Sequence, residues 1–225
     1  PSPAAGRRTV LNRTELLGDA TLFSQNIDLL RDAMLFVRHS REDYRRASFL
    51  DGRMLTAQSQ GSWEGIGAVR AILQNAAPIH PVHFIFHTGH VGSTLLSRLL
   101  EELPGVLGLR EPLPLRLLAE AGDNAGEPDS LLSLEGFNTL LRDQIVLWSR
   151  GFADTRAVIV KATSAAARVA PALLDAAPQA RAIYLNLKLE PYLATLLAGE
   201  NSILDLRGHA GERMRTGFAH DARDA

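Results

Sequence analysis

From residue 82 onward, short apolar runs alternate with amphipathic stretches, and that alternation leaves few folds open. Runs over 82–88, 106–110, 156–161 and 181–187 are brief and apolar, with branched and aromatic residues among them. Between them the apolar residues recur at helical spacing over 93–103, 113–121 and 133–150, and over a broken stretch at 164–176 in which Pro171 begins a second piece. A final helix is predicted at 191–200. Strands separated by helices imply a parallel sheet with right-handed crossovers and helices on both faces. The predicted class is therefore α/β, a three-layer parallel sheet flanked by helices.

The first third reads differently. Thr14-Glu15-Leu16-Leu17 suggests a helix cap, and Ile27, Leu30, Met34 and Val37 follow a helical stripe, which predicts helix over 9–39. Phe49-Leu50-Asp51-Gly52-Arg53 closes a charged segment as a turn, and a second helix is predicted over 63–77 with Ile66, Val69, Ile72 and Leu73 on one face. The run Asp43-Tyr44-Arg45-Arg46 reads as a solvated helix face. The expected organisation is an N-terminal helical cap over 1–78 and a core domain over 79–225. A chain of 225 residues, 46% hydrophobic, suffices for such a core.

The most informative stretch runs from His83 to Leu103. An apolar strand meets Gly89-His90-Val91-Gly92-Ser93-Thr94, and a helix follows in which Leu95, Leu96, Leu99, Leu100 and Leu103 share a side opposite Arg98, Glu101 and Glu102. Strand, glycine loop and helix form the layout of a phosphate cradle, because glycines let backbone N–H groups turn inward and the helix N-terminus adds positive potential. The alternative is an ordinary strand–helix turn in which Ser93 and Thr94 serve as caps. The spacing is not that of a Walker A loop, and the loop contains no lysine to reach terminal phosphates.

Lysine is scarce. Of the 24 basic residues only Lys161 and Lys188 are lysines, and both end predicted strands. Open parallel sheets bind ligands at that edge, although a solvated strand end is the simpler reading of each. Glu111 follows the second core strand, where it suits either a general base or a carboxylate on a helix N-terminus. Arg110, of opposite strand parity, is free to meet ligand or solvent. His80, His83, His87 and His90 invite a metal reading, but His80 and His90 have the wrong parity to join the other two, so no metal is expected. The net charge of −1 supplies no general field for nucleic acid, and basic residues are interleaved with acids. No apolar run reaches membrane-spanning length, and residues 1–8 read as a disordered lead-in without a signal-peptide core. A cytoplasmic location is the expectation.

Gly89-His90-Val91-Gly92-Ser93-Thr94-Leu95-Leu96, Leu109-Arg110-Glu111-Pro112, Val160-Lys161-Ala162-Thr163, and Tyr184-Leu185 onward to Thr195 together resemble the bacterial sulfotransferase-like P-loop family. The resemblance spans about residues 82–205. It implies a P-loop-type sheet and transfer of a sulfuryl group from 3′-phosphoadenylyl sulfate (PAPS) to a hydroxyl or amine of a small acceptor. By the family pattern, Gly89, His90, Val91, Gly92, Ser93 and Thr94 would hold the phosphosulfate. His90 stands in place of the loop's basic residue and Val91 in place of its Ser. Glu111, Lys161 and His90 would be the catalytic residues. Lys188, one place after the position of the 3′-phosphate Arg, and Thr195, at the position of its partner Ser, would hold the 3′-phosphate. The C-terminal Arg-Lys-Gly loop of the family is reduced to Arg215-Thr216-Gly217, as in a divergent branch or one short at the C-terminus. A nucleotide-dependent phosphotransferase or ATPase, and a catalytically silent scaffold that binds a partner, remain alternatives.

Overall fold

The computed structural model describes residues 12–199 together with Leu204 and Arg207. The lead-in over 1–8 and Arg215-Thr216-Gly217 lie outside the described residues. A capping box on Asn12 starts α1 (Arg13–Gly18), and a second on Ser40 starts α2 (Arg41–Arg46). Between and after them the chain is not helical. β1 (Leu22–Asp28), β2 (Ala33–Arg38) and β3 (Gly61–Gly65) make an antiparallel sheet in the order β1-β2-β3, and α3 (Ile66–Leu73) follows.

The expectation of an N-terminal helical cap is thus corrected to a three-stranded meander with short helices. Two features hide these strands. Met34, Leu35, Phe36 and Val37 are all buried, so β2 lacks the alternation of a one-sided strand. In β1 the register shifts between Ser24 and Asn26, which breaks the two-residue period. Gln25, at that bulge, is buried; its amide nitrogen donates to the Asp51 carbonyl at 2.9 Å and its oxygen meets His39 Nε2 at 2.8 Å. Leu30, which completed the helical stripe, is 83% exposed between the strands. Tyr44 also departs from its expected solvated face: it is buried and donates its hydroxyl to the Ala20 carbonyl at 2.9 Å.

The second sheet meets the α/β expectation. β4 (Val82–His87), β5 (Val106–Arg110), β6 (Ala157–Lys161) and β7 (Ala182–Leu185) are parallel and lie in the order β5-β6-β4-β7. The connecting helices are α4 (Ser93–Glu101), α5 (Leu113–Gly122), α6 (Leu134–Trp148) and α7 (Ala170–Ala176), and α8 (Leu189–Ala198) comes last. A 3-10 segment, Ser164–Val169, precedes α7, and Pro171 falls in the first turn of that helix. The chain leaves β4 toward β5 but leaves β6 toward β7. These neighbouring strands therefore send their connections opposite ways, and a crevice opens at their carboxyl ends.

The two faces of this sheet differ in chemistry. Phe84, Val160 and Leu109 lie in register and join one buried cluster with Leu118, Leu140 and Leu173. That cluster continues into Leu16, Phe36 and Leu50 of the N-terminal segment. On the other face Ile85, Lys161 and Arg110 lie in register. Here α4 turns Ser93, Ser97 and Glu101 inward, while Leu95, Leu99 and Leu103 are 62%, 60% and 54% exposed. The Leu95, Leu99 and Leu103 edge of the apolar stripe is thus the outer one, while Leu96 and Leu100 are half-buried. The cause is electrostatic: Glu101 Oε2 accepts from Arg110 Nη1 at 2.5 Å, both side chains being buried. Gly108 leaves room for the pair, since a Cβ there would lie 3.0 Å from Arg110 Nη1 and 3.2 Å from Glu101 Cδ.

Arg110 is therefore structural, not a ligand or solvent contact. It is fully buried and also donates to the carbonyls of Ala47 at 2.6 Å, Arg45 at 2.9 Å and Tyr44, which closes the C-terminal end of α2.

Candidate functional site

At the carboxyl end of β4 the chain must turn sharply into α4. Gly89 (φ 93°), His90 (φ 53°) and Gly92 (φ 77°) adopt left-handed backbone, costly for His90 and cheap for the glycines. Gly92 is the residue before the first turn of α4, and no side chain caps that helix. Ser93 and Thr94 are therefore not capping residues, and among the described residues no side chain caps the first amides of α4.

The turn borders a cavity of about 430 Å³, and every residue from Thr88 to Thr94 lines it. Glu111 enters from the end of β5, Lys161 from the end of β6, and Thr163 and Ser164 from the segment after β6. The cavity thus sits in the crevice that the strand order creates. Glu111 also has left-handed backbone (φ 47°). Its N–H donates to the Lys161 carbonyl at 2.7 Å, and its carboxylate Oε1 accepts from Lys161 Nζ. The Lys161 side chain is 1% exposed and that of Glu111 is 19% exposed. Lys161 is accordingly a buried partner of Glu111, and the reading of it as a solvated strand end is set aside. The ammonium carries three donors, so its bond to Glu111 leaves others for a ligand.

His87, the last residue of β4, is buried beside the same loop. Its Nδ1 accepts from the Gly89 N–H at 3.0 Å, which leaves Nε2 to donate to the Ala162 carbonyl at 2.8 Å. The imidazole is neutral in this arrangement. Burial pulls its pKa down to about 4, helped by the positive charges of Lys161 and His90 and opposed by the bond to Ala162. Gly89 consequently spends its N–H on His87 and contributes shape to the loop, not a free donor. Thr88 lines the cavity, and its buried hydroxyl has no hydrogen-bond partner among the described residues. Such an atom is expensive in a finished interior and ordinary in a site that takes a polar ligand.

Gly89, His90, Val91, Gly92, Ser93, Thr94, Glu111 and Lys161 are thus brought together on one cavity. Lys188 and Thr195 are not among its lining residues. Lys188 is exposed before α8, and the exposed Thr195 donates its hydroxyl to the Pro191 carbonyl at 2.8 Å, within the same helix. From α8 it is Tyr192 and Leu196 that reach the cavity.

Phe49, His87, Arg116 and Tyr192 also line the cavity, and the sequence reading did not assign them there. His87 carried a signal, being a polar residue at a strand end two positions before a glycine turn. Phe49 and Tyr192 carried none, because they arrive from distant segments. Leu50 is tied to the β5 exit by bonds from its N–H to the Arg110 carbonyl at 2.7 Å and from Leu113 N–H to its own carbonyl at 3.0 Å.

Among the described residues no group of three or more His, Asp or Glu side chains converges to hold a metal, and no helix is long and apolar enough to cross a membrane. No protein-family model, curated protein or solved structure matches the chain.

Proposed function

We propose that this chain is a sulfuryl transferase that takes PAPS as donor and a small hydroxyl or amine compound as acceptor, with a cytoplasmic location as part of the same reading. One observation carries it. A glycine turn and an uncapped helix N-terminus share a cavity with a buried Lys161–Glu111 pair, at the carboxyl ends of three adjacent parallel strands. The cavity volume of about 430 Å³ also falls within the usual range for small-molecule sites.

In this mechanism the first amides of α4 and the hydroxyls of Ser93 and Thr94 hold the anionic phosphosulfate. Glu111 accepts the acceptor's proton as the acceptor oxygen attacks sulfur in line. The bond from sulfur to the bridging phosphate oxygen breaks, and the electron pair leaves with the phosphate. Lys161 and His90 offset the charge that grows there. The products are the sulfated acceptor, adenosine 3′,5′-bisphosphate and a proton on Glu111. Lys188 and Thr195, the residues assigned to the 3′-phosphate, do not line the cavity.

Thermal melting with adenosine 3′,5′-bisphosphate tests the proposal. A ligand that binds only the folded chain at a hundredfold over its dissociation constant adds about 2.7 kcal/mol of stability and raises the midpoint. No shift at millimolar ligand would sink it. A triphosphate-hydrolysing reading is weaker, because the loop over 89–94 contains no lysine. A silent scaffold draws some support from the exposed Leu95 and Leu99 on α4 and Leu103 just after it. Bisphosphate binding without transfer to any acceptor would favour it.

A further inference from the structure

The peptide joining Thr88 to Gly89 is gripped at both of its polar ends. Its N–H, that of Gly89, donates to His87 Nδ1 at 3.0 Å. Its C=O, that of Thr88, accepts from the Tyr192 hydroxyl at 2.7 Å. The Thr88 N–H before it is held by the Leu185 carbonyl of β7 at 3.2 Å. On the far side of His87, Nε2 donates to Ala162 of the neighbouring chain segment at 2.8 Å. The peptide plane therefore cannot rotate without breaking two hydrogen bonds at once. It lies immediately before the left-handed residues Gly89 and His90, where a glycine would otherwise allow several backbone orientations.

We infer that His87 and Tyr192 are positioning residues: together they fix the Thr88–Gly89 peptide so that the amides which follow, up to the first turn of α4, stay turned to the cavity. The inference rests on the proposed anion-binding role of that loop. Neither side chain needs to touch the ligand. Their contribution is to remove alternative loop conformers that a bound anion would otherwise have to select against, and affinity falls by the fraction of chains lost to those conformers. Tyr192 also ties the loop to α8, so a helix distant in sequence becomes part of the site.

The geometry separates two substitutions that a purely structural role would treat alike. In His87→Asn the side-chain oxygen sits near the Nδ1 position and can still accept from Gly89, while the bond to Ala162 is lost. In His87→Gln the amide nitrogen sits near the Nε2 position and can still donate to Ala162, while the bond to Gly89 is lost. The expected result is bisphosphate affinity within about threefold of the unmodified protein for His87→Asn, but weaker by tenfold or more for His87→Gln and for Tyr192→Phe. Amide hydrogen exchange of Gly89, measured without ligand, accompanies the titrations. It should stay slow in the unmodified protein and in His87→Asn, and become fast in His87→Gln. Equal affinities for the Asn and Gln variants, or equal Gly89 protection in both, would overturn the clamp. If the unmodified protein binds no bisphosphate, the proposed function falls, and Gly89 exchange still decides whether the clamp exists.

Discussion

Lys161 and Glu111 are joined twice, once through the backbone, where the Glu111 N–H donates to the Lys161 carbonyl at 2.7 Å, and once through their side chains. The first bond extends the pairing of β5 with β6 by one residue. The second brings a buried ammonium to a carboxylate that still reaches the cavity. The left-handed backbone of Glu111 lets both form, because the chain turns away from the strand there without carrying the carboxylate with it.

That pairing sets the first expectation. Glu111→Ala strands the Lys161 ammonium in a place 1% exposed, and breaking a buried pair from one side costs about 3–5 kcal/mol. Glu111→Gln keeps an oxygen that can accept from Lys161 and should lose less stability, yet it removes the base and so should slow transfer. Urea unfolding of the two variants, beside a transfer assay, reads both effects. If the Ala variant loses less than about 1 kcal/mol, water has reached the pair and the site is more open than described.

Acid should weaken the fold through His87. Its pKa in the folded chain is about 4, against an ordinary value of 6.5. Between those values the unfolded chain binds the proton and the folded chain does not, so stability is complete above pH 6.5 and is lost as pH falls toward 4. His39 and His83 are shifted in the same direction, chiefly by burial, and add to the slope. The share due to His87 is about 3 kcal/mol if the whole shift is realised. Unfolding measured across this range for the unmodified protein and for His87→Asn should show a flatter profile in the variant. Parallel profiles would mean that His87 is protonated in the fold without cost.

Much of the core was readable because its strands are short, largely apolar and separated by helices. β5 was expected at 106–110 and is Val106–Arg110; the break before Pro171 was foreseen as well. The glycine turn was legible because only certain residues tolerate its backbone. What failed was pattern reading wherever tertiary contacts overrode period. The bulge at Gln25 and the doubly buried β2 erased the alternation of the meander. On α4 the Leu stripe set Glu101 on the opposite side of the helix, and the Glu101–Arg110 pair turns that side inward together with Ser93 and Ser97. Local sequence carries no record of such a pair, nor of Tyr192 arriving from α8.

For the loop itself, Ser93→Ala combined with Thr94→Ala should abolish bisphosphate binding and leave the melting temperature of the free protein within a few degrees. Neither hydroxyl caps α4, so neither is needed to start the helix. Calorimetric titration gives the affinity and a thermal melt gives the control. Unchanged affinity would take both side chains out of the site, and a collapse in melting temperature would return Ser93, only 5% exposed, to the core.

The Glu101–Arg110 pair yields a sharper test, because three changes at one place predict three different outcomes. Arg110→Met removes a buried cation, leaves the Glu101 carboxylate without its partner and frees the carbonyls of Tyr44, Arg45 and Ala47 at the end of α2. The cost should be about 3–5 kcal/mol. Glu101→Gln leaves the guanidinium with its carbonyl acceptors but without a counter-charge, and should cost less than Arg110→Met. In the double variant no buried charge remains, so the combined loss should fall short of the sum of the single losses by about 0.5–3 kcal/mol, the usual range for residues in contact. Additive losses would mean that the two side chains act independently. Gly108→Ala places its new Cβ 3.0 Å from Arg110 Nη1 and 3.2 Å from Glu101 Cδ. Both of those atoms are pinned by the pair and cannot move aside cheaply. The substitution should therefore destabilise by about 1–3 kcal/mol when the pair is present, and by less in the double variant, where Arg110 Nη1 is gone and the Cδ that remains at position 101 is no longer held by the guanidinium.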